Sequence, residues 1–314
     1  MEPGLPVLFI INPVSGTGKR KTLPHLIART CRKRNVPYRI AYTEYAGHAT
    51  VIASEAVEEH LPLIVAVGGD GTINEIARAL IGKPCALGIL PAGSGNGLAR
   101  SLHLSMQPAT ALRQILSGQV IDLDVLHING EPCFNLFGTG FDSKVSKLFE
   151  EQPKRGFWSY FLAVFKAFFT FHPLHYEVCV KGAKHRGPFY LVVAANSSQY
   201  GNDAYIAPRA LPYDGVLDLM LVKPFPFYAF VPLLARLLLN RIHHSKYILY
   251  YTTTQVIIAG AGKKKFDYHI DGEYRGNTGK IQIKLEPECL RVIVPAAAGK
   301  FQQQVHEKSE PSIG

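Results

Sequence analysis

Apolar and polar positions change rhythm once along the chain, near residue 125. Up to that point continuous apolar runs alternate with stretches of helical period. They are LPVLFIIN, a helix over 20–34, YRIAYTE, a helix over 47–60, LPLIVAV, a helix over 72–81, ALGILPA and a helix near 108–117. Apolar strands separated by helices predict a parallel sheet covered on both faces, hence a doubly wound α/β domain. Beyond residue 125 strands follow at turn spacing: LDVLHING, EPCFNLFGTGF, LHYEVCV, GPFYLVVAANSS, GVLDLMLVK, YYTTTQVIIA, FDYHIDGEY, KIQIKLEP and LRVIVPA. That spacing predicts hairpins, so the second half reads as mainly antiparallel β around two helices. The expected division is an α/β domain over 1–125, a β-rich domain over 126–300 and a polar tail over 301–314, with no internal repeat.

Composition agrees with two folded domains: 47% of the 314 residues are hydrophobic and 18% charged, enough apolar surface for sizeable cores. Cys31, Cys85, Cys133, Cys179 and Cys289 are odd in number and widely spaced, which reads as buried, reduced thiols rather than a disulfide framework or zinc module. The start, MEPGLPVLFIINP, has no basic segment ahead of its apolar run, so a first strand is expected rather than an export signal, and a cytoplasmic protein with it. The net charge of +10 suits nucleic acid, anionic membranes or phosphorylated ligands. Clusters such as GKRK, RKR, PKR and KKK lack any recognition module around them, so nucleic acid is not an expected partner.

Two aromatic segments, FWSYFLAVFKAFFTF (157–171) and FPFYAFVPLLARLLL (225–239), bear on the membrane. Each is too short to span and carries an internal cation, Lys166 or Arg236. Two readings stay open: core-facing helices, or surfaces that touch lipid and line an acyl-chain pocket. His243 and His244 have no metal-ligand spacing to acidic residues, and Ser94 and Ser197 lack a nucleophile elbow.

Candidate chemistry begins in VAVGGDGTINEIARAL (65–80), where a strand runs through three glycines around Asp70 into a helix. Glycines at the carboxyl end of a parallel strand let backbone amides approach a phosphate at a helix N-terminus. Gly68, Gly69 and Gly71 clear that path, Thr72 is placed to cap the helix, and Asn74 and Glu75 lie near its positive end. Two further strand ends, NPVSGTGK (12–19) and LPAGSGNGLARSL (90–102), repeat the pattern. None fits the P-loop or the G-x-G-x-x-G spacing. Three glycine-rich loops at one sheet edge therefore predict another kind of phosphate cradle.

The motifs NPVSG, GGDGTINE, PAGSGNGLA, GFD (140–142), NSSQYG (196–201), LPYDGVLDL (211–219) and HIDGE (269–273) together resemble the diacylglycerol kinase catalytic-domain family, which includes bacterial diacylglycerol and lipid kinases, sphingosine kinases and ceramide kinases. The resemblance covers nearly the whole chain and implies an NAD kinase/diacylglycerol kinase-like fold, with an α/β nucleotide domain and a β-rich lipid domain. It implies ATP lined by Asn12, Pro13, Val14, Ser15, Gly16, Thr43, Gly69, Asp70, Gly71, Thr72, Ile73, Asn74, Glu75 and Ser94. In bacterial members the last motif supplies the general base, here Glu273 with Asp271 beside it; in sphingosine kinases the role falls to the aspartate of the glycine-rich turn, here Asp70. Asp214 with the carbonyls of Leu211 and Val216 would hold a structural magnesium.

PAGSGNGLA looks closer to the sphingosine kinase form than to the bacterial one, so diacylglycerol and sphingoid bases are both expected acceptors. The implied activity is transfer of the γ-phosphate of MgATP to a lipid alcohol. The implied partners are a lipid substrate and an anionic membrane surface touched peripherally, with a homodimer left open. The competing readings are an NAD kinase, which shares the GGDGT turn, and a silent lipid- or nucleotide-binding module.

Overall fold

A computed structural model describes residues 5–14, 22–93, 95–150, 171–198 and 205–296. The chain forms two compact units, one of residues up to Asp124 together with the described residues from Pro287 onward, the other Val125–Glu286.

In the first unit, β1 (Val7–Ile11), β2 (Tyr38–Tyr42), β3 (Leu63–Gly68) and β4 (Ala86–Pro91) alternate with α1 (Leu23–Lys33), α2 (His48–Glu58) and α3 (Asp70–Leu80); α4 (Gly97–Ser101) and α5 (Pro108–Ser117) follow. The four strands are parallel in the order β2-β1-β3-β4. Every residue of β1, β3 and β4 is buried, as expected where helices cover both faces. One core there joins Phe9, Val65 and Leu90 of the strands to Ile27 of α1 and Leu112 and Ile115 of α5.

β5 (Gln119–Ile128) carries the chain into the second unit. There β6 (Glu131–Cys133), β7 (Leu136–Gly140), α6 (Phe141–Glu150), β8 (Leu174–Val180), β9 (Ala183–Phe189), β10 (Leu191–Ala195) and β11 (Leu217–Val222) are followed by α7 (Phe230–Leu238), β12 (Ile248–Thr253), β13 (Gln255–Gly260), β14 (Phe266–Ile270), β15 (Glu273–Thr278) and β16 (Lys280–Val294). One antiparallel sheet runs β12-β11-β10-β7-β14-β15. The second is built of the first part of β16 with β13, β8 and β9, also antiparallel. Their inner faces share one core, with Phe137, Val192, Leu219 and Ile270 from the first sheet and Tyr176, Val178, Ile258 and Ile281 from the second.

The antiparallel β class expected from turn spacing is what forms, with the strand limits redrawn. EPCFNLFGTGF divides at Phe134, GPFYLVVAANSS at Tyr190 and YYTTTQVIIA at Thr254. KIQIKLEP and LRVIVPA, read as two strands, are one: β16 runs through Pro287 and through Glu288 at φ +52°. Its second half pairs Val292 with Leu87 of β4 in the first unit, so residues from Pro287 leave the domain 126–300 in which the sequence placed them. That pairing joins positions some two hundred residues apart, and no local pattern carries it. α4 and α6 were not anticipated. Of the two aromatic segments, the second contains α7, while the first lies outside the described residues apart from Phe171. Among the described residues no helix is long and apolar enough to cross a membrane. All five cysteines are free, but only Cys31, Cys85 and Cys133 are buried; Cys179 and Cys289 are partly exposed.

The second unit buries an acidic side chain on β11. Asp218 on β11 is buried, and its carboxylate accepts a hydrogen bond from the Tyr250 hydroxyl. Burial pushes this carboxyl up from 3.8 to about 6, although the Tyr250 hydroxyl and the Arg209 cation both favour its ionised form. The folded chain thus holds the proton more tightly than the unfolded chain, so the group's contribution is most favourable below about pH 4 and is lost as pH rises through about 6. The loss is on the order of 3 kcal/mol. Asp218→Asn should therefore raise the melting temperature at pH 8 by roughly 5 °C and flatten its change between pH 5 and pH 8. Parallel pH profiles for the two proteins would contradict the assignment.

Candidate active site

Parallel strands place all their carboxyl ends at one edge, and that edge is where open α/β sheets take ligands. The order β2-β1-β3-β4 puts the switch point between β1 and β3, where connections diverge to either side. Asn12, the first residue after β1, spans it: its Nδ2 donates to Thr72 Oγ1 at 3.1 Å. The Asn12 Oδ1 accepts the Val14 amide at 2.9 Å and so starts the NPVSG loop. Pro13 and Val14 are exposed; Ser15 and Gly16 lie outside the described residues. Thr43 sits at the end of β2, buried, its amide donating to the Ile11 carbonyl at 3.0 Å.

Asp70 opens α3 and reaches sideways into the third loop. Its Oδ2 accepts the Asn96 amide at 2.8 Å and its Oδ1 accepts the Gly97 amide at 2.9 Å. These amides begin α4, whose N-cap Asn96 is left-handed at φ +53°, so Asp70 caps a helix that is not its own. Charge-assisted bonds of this kind contribute about 1.5–3 kcal/mol each. Asn96 closes the same loop on itself, its Nδ2 donating to the Gly93 carbonyl at 2.8 Å. The glycines permit this contact. A Cβ on Gly95 would lie 2.7 Å from Asp70 Oδ2, and one on Gly93 would collide with the Gly69 backbone. Part of the glycine content expected to admit a phosphate is therefore needed for loop-on-loop packing. Ser94, within this loop, lies outside the described residues.

The rest of GGDGTINE divides by direction. Gly69 is the N-cap of α3, and the amides of its first turn have no acceptor within the helix, which suits an anion. Gly71 is exposed, whereas Thr72, Ile73 and Asn74 are buried. Ile73 can offer a ligand only backbone atoms. Glu75 turns toward α2: Oε1 accepts the Gly47 amide at 2.9 Å and Oε2 the Ala49 amide at 3.1 Å, while Thr50 Oγ1 donates to the Glu75 carbonyl at 2.8 Å. It caps α2, a duty the sequence does not reveal because its partners lie 26 to 28 residues upstream.

In the second unit the β14–β15 hairpin carries IDGE. Asp271 and Gly272 form its two-residue turn, both with positive φ (+52° and +86°), the geometry for which Asp-Gly is preferred. Asp271 does more than turn the chain. Its Oδ1 accepts the amides of Asn135 at 2.8 Å and Leu136 at 3.0 Å, and its Oδ2 accepts that of Phe134 at 3.1 Å. The Cys133 thiol donates to Oδ1 at 3.3 Å, and burial first, then the Asp271 charge, push that thiol well up. Asp271 is thus an anchor for the chain entering β7.

Glu273 follows at the head of β15, its side chain 46% exposed and paired with Arg275 at 2.9 Å. Arg275 also meets Glu131 at 3.1 Å, so the carboxylate is oriented from one side and open on the other. Beneath the turn His269 and Asp142 are paired at 2.9 Å and almost fully buried. The Gly272 amide donates to His269 Nδ1 at 3.3 Å, so Nε2 carries the hydrogen toward Asp142. Gly138 leaves the room for this pair, since a Cβ there would collide with both side chains.

Register aligns these groups with two other motifs. Ile270 pairs with Phe137, Leu136 with Ala195, and Ala195 with Asp218. The IDGE turn, Asn135, Asn196, Ser197 and the loop before β11 therefore emerge at one edge of the six-stranded sheet. Ser197 Oγ donates to Asn135 Oδ1, and Asn196 Nδ2 donates to the Phe134 carbonyl at 3.1 Å, all in buried positions. Asp214 lies in that loop, three strands from β14 and so roughly 14 Å across the sheet. Its Oδ1 accepts the Val216 amide at 3.2 Å around Gly215 at φ +75°. Leu211 and Val216 lie in the same loop; carboxylate and carbonyl oxygens are the ligand types a hard cation takes. No group of three His, Cys, Asp or Glu able to hold a metal occurs among the described residues.

Sequence reasoning missed His269, Arg275, Asn96 and Asn135 as site residues. The available signal for His269 was a polar side chain at an inward position of an alternating strand; GFD and NSSQYG were noted without roles.

Comparison with known proteins adds to this geometry. Residues 6–128 match the diacylglycerol kinase catalytic domain, and residues 135–294 match the YegS C-terminal NAD kinase beta sandwich-like domain. A diacylglycerol kinase of Bacillus subtilis is 27% identical over 279 residues, 85% of this chain and 89% of the relative. A protein named probable lipid kinase YegS-like from Serratia proteamaculans is 30% identical over 229 residues, 71% and 74% of the two chains. The fold is shared with a crystal structure of a diacylglycerol kinase from Bacillus anthracis (TM-score 0.73, 21% identity, 95% of this chain and 100% of that one). It is shared more distantly with an NAD kinase from Archaeoglobus fulgidus solved in complex with ATP (TM-score 0.53, 14% identity, 96% and 98%). With both halves of the chain matched in order, the protein belongs to the diacylglycerol kinase and YegS-like lipid kinase family.

Proposed function

We propose that the protein transfers the γ-phosphate of ATP to the hydroxyl of a lipid, diacylglycerol or a sphingoid base, at a membrane surface. The observation that carries this reading is the half-exposed Glu273 carboxylate, held beside Arg275 on a turn that Asp271 anchors through three backbone amides.

ATP binds at the carboxyl edge of the parallel sheet, along Asn12, Thr43, Gly69, Gly71 and Thr72, with its phosphates at the first turn of α3. Asp70 fixes the third loop beside them. With both oxygens already accepting amide protons, it positions the loop and leaves proton transfer to Glu273. Glu273 takes the proton of the acceptor hydroxyl as its oxygen bonds to the γ-phosphorus; the bond to the bridging oxygen breaks and ADP leaves. Arg275 orients the Glu273 carboxylate, and the buried His269–Asp142 pair supports the turn from below. Magnesium, when bound, supplies charge neutralisation at the phosphates, and Asp214 with the carbonyls of Leu211 and Val216 would hold a further, structural ion.

The test is transfer of label from radioactive ATP to diacylglycerol, monoacylglycerol, sphingosine, dihydrosphingosine or ceramide in mixed micelles. One or more labelled lipids are expected, and label on NAD instead would overturn the acceptor class. Glu273→Gln should lower kcat by about 10²–10⁴ with an unchanged melting temperature. Asp271→Ala, which strands three backbone amides, should lower the melting temperature as well as the rate. A Glu273→Gln protein turning over at the wild-type rate would remove the base from this assignment.

A further inference from the structure

Helix α7 is apolar on both sides, and one side only is packed. Leu233 is buried, and Leu237 packs against a core that contains Met220, Ile242 and Ile248. The opposite side presents Val231 and Leu238 at 69% and 52% exposure, continued by Tyr228 in the 3-10 turn before the helix and Leu239 at its C-cap at 76% and 67%. Positions 228, 231, 235 and 238 recur at helical spacing, so these side chains form one stripe, with exposed Pro232 and Ala235 between them. Single exposed apolar residues are ordinary; a contiguous stripe is not.

The sequence on either side of the stripe carries one sign of charge. From Leu219 to Phe266 the sequence has no aspartate or glutamate, while it holds Lys223, Arg236, Arg241, Lys246 and the run Lys263 to Lys265. Arg236 and Arg241 are exposed at and just beyond the end of α7, the Arg241 amide donating to the Arg236 carbonyl at 2.8 Å. Lys246 is also exposed, its ammonium 5.3 Å from the centre of the Tyr247 ring. A face made for another protein, or for a second copy of this chain, gains from mixed charges at its rim. An apolar stripe beside cations alone complements an anionic lipid surface, where the stripe enters the acyl boundary and the cations meet headgroup phosphates.

We propose that the outer face of α7, with Arg236, Arg241 and Lys246, docks this protein on anionic bilayers. The inference rests on the lipid kinase reading, to which it gives a means of reaching an acceptor that stays in the membrane. Flotation of the full chain with phosphatidylcholine vesicles, with and without phosphatidylglycerol, tests it. The wild type should float with the mixed vesicles and stay below with the neutral ones. Arg241→Glu combined with Lys246→Glu should weaken partitioning into mixed vesicles roughly 30-fold or more, and Leu238→Glu combined with Leu239→Glu should abolish it.

Phosphorylation of a short-chain acceptor dispersed as monomers, followed in parallel, should be unchanged in both variants. Flotation lost as described in a protein that phosphorylates no lipid would sink the kinase reading and uphold the docking face. Normal phosphorylation with wild-type flotation in both variants would do the reverse. Equal flotation of the wild type with neutral and mixed vesicles overturns the charge complementarity. A fall in melting temperature of the leucine variant would mean that the chain itself covers the stripe. Conversion of a dimer to a monomer would mean that a second copy does. Either result overturns the proposal.

Discussion

A carboxylate that accepts backbone amides from a distant loop is the interaction on which both halves of this protein depend. Asp70 does this in the first unit, holding the start of α4 through Asn96 and Gly97. Asp271 does it in the second, holding residues 134–136. In each case two glycine- or turn-rich segments, neither of which has a core of its own, are fixed against each other at the end of a sheet. A side chain with two acceptor oxygens can satisfy several amides that no strand or helix would otherwise pair. The cost is a carboxylate partly removed from water, and the charge-assisted bonds offset it.

This arrangement gives the candidate site its division of labour. In the first unit the sheet edge offers backbone donors and the start of a helix, groups suited to a phosphate. In the second, Glu273 is half-exposed beside a cation, whereas Asp271 is engaged below it and Asp142 is paired with His269. Phosphoryl transfer needs little more than positioned phosphates and one oriented carboxylate, and in the proposed reaction the acids engaged with backbone amides or with histidine serve as framework.

The α/β half was legible because its signal is local. Continuous apolar strands and intervening amphipathic helices appear in order, and the glycine motifs fall at strand ends, where a parallel sheet exposes them. Strand limits in the second half were less legible, since Phe134, Tyr190 and Thr254 are residue types at home in strands and mark no turn. The return of β16 to pair with β4, and the use of Glu75 to cap α2, depend on partners far away in sequence. The capping of α4 by Asp70 was hidden for the same reason: its partners Asn96 and Gly97 lie 26 and 27 residues downstream.

The central claim is that Asp70 builds the nucleotide site by holding the third loop in place. Calorimetric titration of MgATP into the wild type and into Asp70→Ala tests it most directly, with circular dichroism to show that both are folded. The account predicts saturable binding by the wild type and affinity at least about 30-fold weaker in the variant, in keeping with the loss of two charge-assisted bonds. Equal affinity in two folded proteins would contradict it.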